Sequence, residues 1–154
     1  MPKEIERKFL VKDLTWREGA VGTEYWQGYL CLGPPVAVRV RVSNDKAVLN
    51  IKRATMNLTR EEFEYDIPLE EGREILDHLC EGYLIHKTRY EIDHEGHCWE
   101  VDVFHGHNEG LVVAELELEA EDQAFTKPAW LGEEVSHDRR YLNASLARYP
   151  YVEW

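Results

Sequence analysis

The chain has 154 residues, enough for one domain with a core and too few for two comfortable ones. Hydrophobic residues make up 44% of it and charged residues 31%, which is typical of a soluble globular protein and argues against a disordered one. The formal net charge of −12 argues against nucleic acid as the main partner, because phosphate backbones select basic surfaces. We therefore expect a single domain over residues 1–154 that binds any polyanion through locally clustered Lys and Arg or through metal ions.

Neither an export signal nor a membrane anchor is expected from the sequence. The first ten residues are rich in charge, and no apolar run approaches the ~20 residues of a membrane span. The three cysteines, Cys31, Cys80 and Cys98, are odd in number and lack metal-ligand spacing, which favours reduced thiols. We expect a cytoplasmic protein that binds neither membrane nor nucleic acid, and a homodimer is left open.

In the first half of the chain, apolar and polar residues alternate as they do along β-strands. Strands are predicted over 4–11, 24–32, 36–42, 47–52 and 58–67. Turn residues at 33–35 end the second strand, and those at 43–45 join the third and fourth as a hairpin. After Pro68 the apolar spacing becomes helical, which predicts a helix over 69–83.

The second half returns to strand-like alternation and ends in a helix. The elements predicted here are a hairpin of strands over 85–93 and 97–104, a strand over 111–120, an irregular stretch over 130–135 and a helix over 138–148. Asp138 is placed near the N-cap of that helix. Eight strands joined largely by hairpins, with two or three helices, imply an antiparallel sheet of the α+β class.

Charged residues recur at period two in these strands, so they share a face. In the first strand Glu4, Glu6 and Lys8 all point to one side. Acid-x-acid spacing alone is weak, because nine such pairs occur and roughly six are expected by chance at this composition. Ordinary half-exposed strands also alternate apolar with charged residues. The stronger signal is that later strands repeat the pattern, with Lys52 and these pairs of like charge: Arg39/Arg41, Glu62/Glu64, Lys87/Arg89, Glu100/Asp102 and Glu115/Glu117.

A closed barrel accounts for strands that carry charge on one face and apolar residues on the other. We predict a closed or nearly closed antiparallel barrel with charged residues inside and apolar residues packed outward against helices. Two like charges about 5 Å apart repel by roughly 3 kcal/mol at an effective dielectric of about 20, so the two signs must nearly balance. The eight acids named above are offset by seven bases if Arg139 of the last helix is included.

The residue types inside this barrel suit a metal ion together with a phosphorylated ligand. Carboxylate oxygens are the ligands that Mg²⁺ and Mn²⁺ prefer. Arginine forks and lysine ammonium groups bind phosphate oxygens. The sequence offers no convincing Ser-His or Cys-His constellation for a covalent nucleophile.

At these residues the sequence resembles the CYTH superfamily, the triphosphate tunnel metalloenzymes. The family's acid-x-acid-x-lysine signature matches Glu4, Glu6 and Lys8. The remaining matches follow in chain order: Arg39-Val40-Arg41, Lys52, Glu62-Phe63-Glu64, Lys87-Thr88-Arg89-Tyr90, Glu100-Val101-Asp102, Glu115-Leu116-Glu117 and the segment 138–143. The chain is most similar to the short bacterial single-domain members, several of which are inorganic triphosphatases.

The resemblance implies an α+β fold in which an eight-stranded antiparallel barrel, closed and tunnel-like, has a few covering helices. It also implies that a triphosphate binds inside with one or two ions of Mg²⁺ or Mn²⁺. It assigns one ion to Glu4 and Glu6 with one of Glu115 or Glu117. It assigns a second ion to Asp102, the other member of that pair, and Glu62 or Glu64. The implied catalytic residues are Glu4, Glu6, Lys8, Asp102, Glu115 and Glu117.

The resemblance assigns the phosphate contacts to the basic residues. They are Lys8, Arg39, Arg41, Lys52, Lys87, Arg89 and Arg139. Arg139 stands where many members have Lys, which keeps the charge and changes its reach. Glu100 fits the inward pattern without an assigned role.

The function implied is hydrolysis of a small triphosphate, with inorganic tripolyphosphate preferred. A metal-activated water would attack a terminal phosphorus in line and leave pyrophosphate and orthophosphate. Three alternatives stay open: an adenylate cyclase of the class IV type, a thiamine triphosphatase, and a module that binds polyphosphate or nucleotides without turnover.

Overall fold

The computed structural model describes residues 2–154, and a single antiparallel sheet forms most of it. Its nine strands are β1 (Lys3–Val11), β2 (Gly22–Cys31), β3 (Val36–Ser43), β4 (Lys46–Arg53), β5 (Thr59–Ile67), β6 (Glu81–His94), β7 (His97–Phe104), β8 (Val112–Glu117) and β9 (Leu131–Glu134). The α-helices are α1 (Leu69–His78) and α2 (Asn143–Arg148). Short 3-10 turns lie at Thr15–Arg17, Gly106–Asn108, Arg139–Tyr141 and Tyr151–Glu153. Between residues 2 and 154, no helix has the length and apolarity of a membrane span.

Eight of the strands close into a ring in the order β5-β4-β3-β2-β6-β7-β8-β1, and β1 pairs back onto β5. The predicted eight-stranded closed antiparallel barrel of the α+β class is therefore confirmed. The ladder that closes the ring is short. It pairs residues 3–5 of β1 with residues 59–61 of β5, whereas β3 and β4 pair over their whole length.

The ninth strand lies outside the ring, and the sequence did not indicate it. We predicted that 130–135 would be irregular, but β9 pairs there with Phe9 and Val11 of β1. It extends the edge of β1 beyond the point where β5 has left it. A four-residue strand carries too few alternating positions to be recognised without its partner.

The predicted helix over 69–83 is wrong at its C-terminal end. Helix α1 stops at His78, and the chain enters β6 at Glu81. Gly82 has φ +73°, a left-handed conformation that suits a residue without a Cβ. A Cβ at Gly82 would also lie 2.6 Å from the Ala147 carbonyl oxygen, so this turn brings β6 against the C-terminal segment.

The predicted C-terminal helix over 138–148 is divided into two parts. Residues 139–141 form a 3-10 turn, and α2 begins only at Asn143. Asp138 does act as a cap, because its side chain accepts a hydrogen bond from the Arg140 N–H at 3.0 Å, but it caps the 3-10 turn. The break after Tyr141 decides which C-terminal side chains face the barrel.

The inner face of the barrel is charged at one end and apolar at the other. On β6, for example, Ile85 shares its face with Lys87 and Arg89. The apolar inner residues form one buried cluster with the C-terminal segment, and its members include Ala37, Ile85, Phe104, Leu111, Val113, Tyr141, Leu146 and Ala147. Leu10 of β1 packs against the same cluster. The C-terminal segment therefore closes one end of the barrel, and the interior is a cup with an apolar floor.

The outer face is covered in two places, as the alternating pattern requires. Helix α1 packs Leu76 against Val40, Val42 and Ala47 of β3 and β4. On the opposite side, an aromatic cluster built around the fully buried Trp99 lies beneath the segments that flank β1 and β9. The strand residues beneath these two covers are apolar, and the charged residues at alternate positions of the same strands point into the barrel.

Candidate active site

The charged half of the barrel encloses a cavity of about 230 Å³. Among the residues predicted to form a site, these line it: Glu4, Glu6, Lys8, Arg39, Arg41, Lys52, Glu62, Glu64, Lys87, Arg89, Glu115 and Glu117. Glu100 lines it as well. Together with Arg53 and Arg60, the lining contains eight basic and seven acidic side chains, an excess of one positive charge in a chain of net −12. The cavity is thus the place where this acidic protein is locally basic.

Strand pairing places opposite charges next to each other on the wall. Lys8 of β1 lies directly opposite Glu115 of β8, and its Nζ is 3.2 Å from Glu115 Oε1. The Lys52 Nζ lies 2.6 Å from Glu4 Oε2 and 3.0 Å from Glu62 Oε2. Although burial opposes ionisation of Glu115, Lys8 and Arg89 hold the pKa of this carboxyl well below its usual range. These pairs hold the side chains in place on the wall, and the cations beside Glu115 favour its ionised form.

Asp102 lies behind the wall. Its side chain is fully buried and does not line the cavity. The Lys87 Nζ donates to its Oδ2 at 2.7 Å, and the Arg89 guanidinium donates to both of its oxygens at 2.7 and 2.9 Å. These two cations hold the pKa of Asp102 below its usual value in spite of burial. The metal-ligand role predicted for Asp102 therefore requires Lys87 and Arg89 to leave its oxygens.

Burial has the opposite effect on Lys87, which is only 1% exposed. It lowers the pKa of the ammonium group to about 8, even though Asp102 favours the charged form. An additional anion in the cavity would stabilise the charge on Lys87. The side chain is thus poised to gain from binding a phosphate.

Three arginines converge on one part of the wall. The pKa of Arg41 is lowered by burial and then by the nearby charges of Arg39 and Arg89. Within residues 2–154, neither Arg39 nor Arg41 forms an ion pair, and the buried Nε of Arg39 has no hydrogen-bond partner. Tyr25 supports two of the three, because its ring lies 4.9 Å from the Arg41 guanidinium carbon and 5.7 Å from that of Arg89. The guanidinium groups of Arg39 and Arg41, which lack carboxylate partners, form a binding site for an anion.

The acidic side of the cavity is crowded with negative charge. Glu6 of β1 lies directly opposite Glu117 of β8. Burial and the nearby Glu115 raise the pKa of Glu6 to about 8, and burial with Glu4 and Glu6 raises the pKa of Glu117. The two cations nearest Glu6 Oε1 are distant, with Lys8 Nζ at 3.7 Å and Arg60 Nη2 at 4.0 Å. A divalent cation would neutralise this crowding.

The donor set fits a hard divalent ion that shares its coordination with a substrate. In the part of the chain from residue 2 to 154, no three carboxylate, imidazole or thiol groups are placed to hold a metal together. Mg²⁺ is usually bound through one or two carboxylates plus waters and substrate phosphates, so a preformed cage is not needed. The facing pair Glu6 and Glu117 meets that requirement.

Arg139 is not brought to the cavity. It lies exposed in the 3-10 turn at the C-terminal segment, and that segment reaches the cavity through Leu142, Asn143 and Ala144 instead. Asn143 is oriented by the fully buried Gln27, whose Nε2 donates to Asn143 Oδ1 at 3.5 Å. Arg139 is kept away from the cavity because the C-terminal helix is divided. The 3-10 turn holds Arg139, and the residues that face the cavity come after that turn.

Sequence reasoning missed two basic residues that line the cavity, Arg53 and Arg60. The one that lies among the carboxylates is Arg60. It lies opposite Glu4 in the short ladder between β1 and β5, and it lines the cavity. Its spacing to Glu62 and Glu64 is the same period of two that identified those residues. The signal was therefore present, but it was hidden among residues of the opposite sign.

Comparisons with known proteins agree with this architecture. A profile of the CYTH domain matches residues 2–149. An inorganic triphosphatase from Acetivibrio thermocellus is 49% identical over 151 residues, which cover 98% of this chain and 97% of that protein. An inorganic triphosphatase from Nitrosomonas europaea is 38% identical, covering 94% and 96% of the two chains. A solved structure of an inorganic triphosphatase superposes with a TM-score of 0.69 at 35% identity, covering 96% of this chain and 95% of that one.

Proposed function

This protein belongs to the CYTH domain family, as the sequence motifs predicted, and we propose that it hydrolyses inorganic tripolyphosphate to pyrophosphate and orthophosphate with the help of a divalent metal ion. The observation that carries the proposal is that one small cavity combines a cluster of arginines with a facing pair of carboxylates. Arg39, Arg41 and Arg89 converge on one side, while Glu6 and Glu117 face each other on the other. The names of the relatives described above, which are inorganic triphosphatases, support the same reaction.

In this proposal the basic wall binds the phosphate chain. Arg39 and Arg41 have no carboxylate to satisfy, so they are free to donate to phosphate oxygens. Lys87 and Arg89 are held by Asp102 at the edge of the cavity, and Lys8 and Lys52 are held by acids of neighbouring strands. These fixed cations would offset the charge that develops on the bridging and terminal oxygens as the bond breaks.

Glu6 and Glu117, with Glu4 and Glu115 beside them, would hold Mg²⁺ or Mn²⁺. When bound, the ion would offset negative charge on the phosphate chain and lower the pKa of a water. The proposal covers either metal. It also includes a second ion near Glu62, Glu64 and Asp102. Asp102 serves first as the group that positions Lys87 and Arg89.

Glu100 is suited to accept the proton of the attacking water. Burial, together with Glu115 and Asp102, raises the pKa of this carboxyl to about 7, although Arg89 opposes the shift. The carboxyl lines the cavity, and its Oε2 accepts a hydrogen bond from Arg89 Nη1 at 3.2 Å. A proton acceptor with a pKa near neutrality is effective as a general base at physiological pH. We assign this role to the residue that sequence reasoning left without one.

We also infer that residues 1–154 act as one catalytic unit in the cytoplasm. The three cysteines are free thiols, as expected in a reducing compartment. Nothing in the cavity favours adenylate cyclase or thiamine triphosphatase activity over tripolyphosphate hydrolysis.

The proposal is tested by offering the purified protein tripolyphosphate, ATP and thiamine triphosphate with Mg²⁺ or Mn²⁺. Orthophosphate, pyrophosphate and cyclic AMP are then measured. Tripolyphosphate should give the highest kcat/KM, with equal amounts of orthophosphate and pyrophosphate and no turnover in EDTA. Cyclic AMP as the main product would overturn the proposal, and binding without any product would identify a non-catalytic module.

A variant pair checks the assignment of the basic wall. Lys87→Ala should raise KM for tripolyphosphate at least tenfold, because it removes a buried phosphate-binding cation. Lys46→Ala removes the same charge from an exposed surface pair with Asp66 and should leave KM within twofold of wild type. Equal kinetics for the two variants would contradict the assignment.

A further inference from the structure

The barrel wall has a weak place along the free edge of β1. On this edge β5 pairs with residues 3–5 and β9 pairs with Phe9 and Val11, so no strand pairs with residues 6–8. Isolated hydrogen bonds close the interval in place of a continuous ladder. The Glu6 N–H donates to the Leu58 carbonyl at 3.2 Å, the Lys8 N–H donates to Ser136 Oγ at 2.9 Å, and the Lys8 carbonyl accepts from the Val135 N–H at 2.8 Å. We call this interval the seam. Elsewhere the ring is closed by longer ladders of five to eight paired positions.

A second, small pocket lies in the seam. Its volume is about 20 Å³, which is room for about one water molecule. Glu6, Lys8, Arg60 and Leu142 line both this pocket and the main cavity, so the two adjoin each other. Its remaining lining comes from the loop Thr55–Leu58 and from Ser136.

The loop over the pocket is attached mainly to itself. The Thr55 N–H donates to the Arg53 carbonyl at 3.0 Å, and the Asn57 N–H donates to Thr55 Oγ1 at 3.4 Å. Its tether to β1 is the bond from Glu6 to Leu58. A segment with so few bonds to its surroundings opens at low cost compared with a paired strand.

The position of the seam matters because the barrel is a cup. Lys8 lies two residues before Leu10 on β1, and Leu10 packs on the apolar floor. Leu142, which also lines the pocket, belongs to the C-terminal segment that covers the floor end of the barrel. The seam therefore adjoins the deep end of the cavity. A linear triphosphate lying along the cup has one terminal phosphate at this deep end and the other toward the mouth. An orthophosphate produced at the deep end would be trapped behind pyrophosphate.

We propose that orthophosphate formed at the deep end leaves through the seam, with the loop 55–58 swinging aside, while pyrophosphate leaves through the mouth. Lys8 and Arg60 supply the positive charge that draws a dianion into the pocket. The pocket is too small for orthophosphate until the loop moves, so the loop sets the rate of release. This inference rests on the proposed triphosphatase function.

The order of product release tests the proposal. In steady-state kinetics with tripolyphosphate as the varied substrate, the product that leaves last inhibits competitively, and the product that leaves first inhibits noncompetitively. The wild-type protein should show noncompetitive inhibition by orthophosphate and competitive inhibition by pyrophosphate. Met56→Trp fills the pocket from the loop and should make orthophosphate inhibition competitive. It should also lower kcat at least threefold with kcat/KM within twofold of wild type.

Two further variants keep the test decisive. Met56→Ala widens the pocket and should lower the orthophosphate inhibition constant at least threefold. Leu79→Trp adds the same bulk at an exposed position after α1 and should leave all constants unchanged. If Met56→Trp is misfolded by circular dichroism, Met56→Ala decides the question alone.

The seam would be overturned as the exit for orthophosphate if both Met56 variants showed the product-inhibition patterns and inhibition constants of the wild-type protein. Equal losses of kcat and kcat/KM in folded Met56→Trp would also count against it, because they would place the effect on substrate binding or chemistry. A wild-type protein that releases no phosphate from tripolyphosphate would instead refute the proposed function.

Discussion

Replacing Asp102 by Asn tests whether this buried carboxylate organises the basic wall. The substitution keeps the shape of the side chain and removes its charge, which leaves Lys87 and Arg89 facing a neutral amide inside the protein. Removing one partner of a buried ion pair costs about 3–5 kcal/mol. Since Asn retains one acceptor oxygen, we expect a loss of about 3 kcal/mol in the free energy of unfolding, or roughly 6–12 °C in Tm for a chain of this size.

The cost should depend on pH in a direction that the structure fixes. The pKa of Lys87 is already lowered to about 8 and should fall further without Asp102. The folded variant would then lose a proton that the unfolded chain keeps up to its ordinary pKa near 10.5. Because the unfolded state binds more protons in this window, stability rises with pH, and the deficit of Asp102→Asn should shrink between pH 7 and 9.

Urea denaturation in EDTA, followed by tryptophan fluorescence, measures the effect without metal or substrate. Glu117→Gln is the matched control, because it also removes one acid from the barrel but one whose pKa is raised by burial and by Glu4 and Glu6. It should be as stable as wild type or more stable. A stability of Asp102→Asn within 1 kcal/mol of wild type would refute the positioning role, and an activity loss without a stability loss would favour the metal-ligand role.

Three further predictions address the acids and the C-terminal segment. Glu6→Gln should lower tripolyphosphate turnover by at least about 100-fold even at saturating Mg²⁺, measured as phosphate release, and normal turnover at saturation would show a role in metal affinity alone. The free energy of unfolding of the metal-free protein should fall as the pH rises from about 4.5 to 8, because Glu6 and Glu100 keep protons in the folded state that the unfolded chain has released. Thermal unfolding in EDTA at pH 5, 6.5 and 8 measures this trend, and a Tm that rises with pH would contradict it. Arg139→Ala should change KM less than twofold and Arg41→Ala should raise it at least tenfold, so a similar KM for the two would show that the exposed arginine reaches the substrate.

Much of the barrel could be predicted from the sequence because a closed wall repeats a simple local rule. Each strand must send alternate residues inward, so Arg39 and Arg41, or Glu115 and Glu117, are assigned to the interior by spacing alone. The rule needs no knowledge of which strands are neighbours. It therefore succeeded even where the bounds of a strand were wrong by several residues.

The roles of individual carboxylates could not be predicted in the same way. Asp102 and Glu6 follow identical spacing, yet two cations cover Asp102 while Glu6 is left with weak partners and a pKa of about 8. The difference arises from which strands are neighbours in the ring, as for Lys8 of β1 and Glu115 of β8, which lie opposite each other although they are 107 residues apart in sequence. Local patterns carry no information about such contacts. The same limit hid β9 and the true position of Arg139.

The side chains that line the cavity sum to +1, so the rest of the chain, most of it outside the barrel interior, carries a charge of −13. A polyanion approaching from solution is repelled until it reaches the mouth, and salt weakens this repulsion beyond a Debye length of about 8 Å at physiological ionic strength. Added salt should thus speed the encounter with tripolyphosphate, the reverse of ordinary steering. A long anionic polymer must lie against the acidic exterior while one end enters, whereas a short one can enter completely. The distribution of charge therefore selects against long polymers before any contact with the arginines is made.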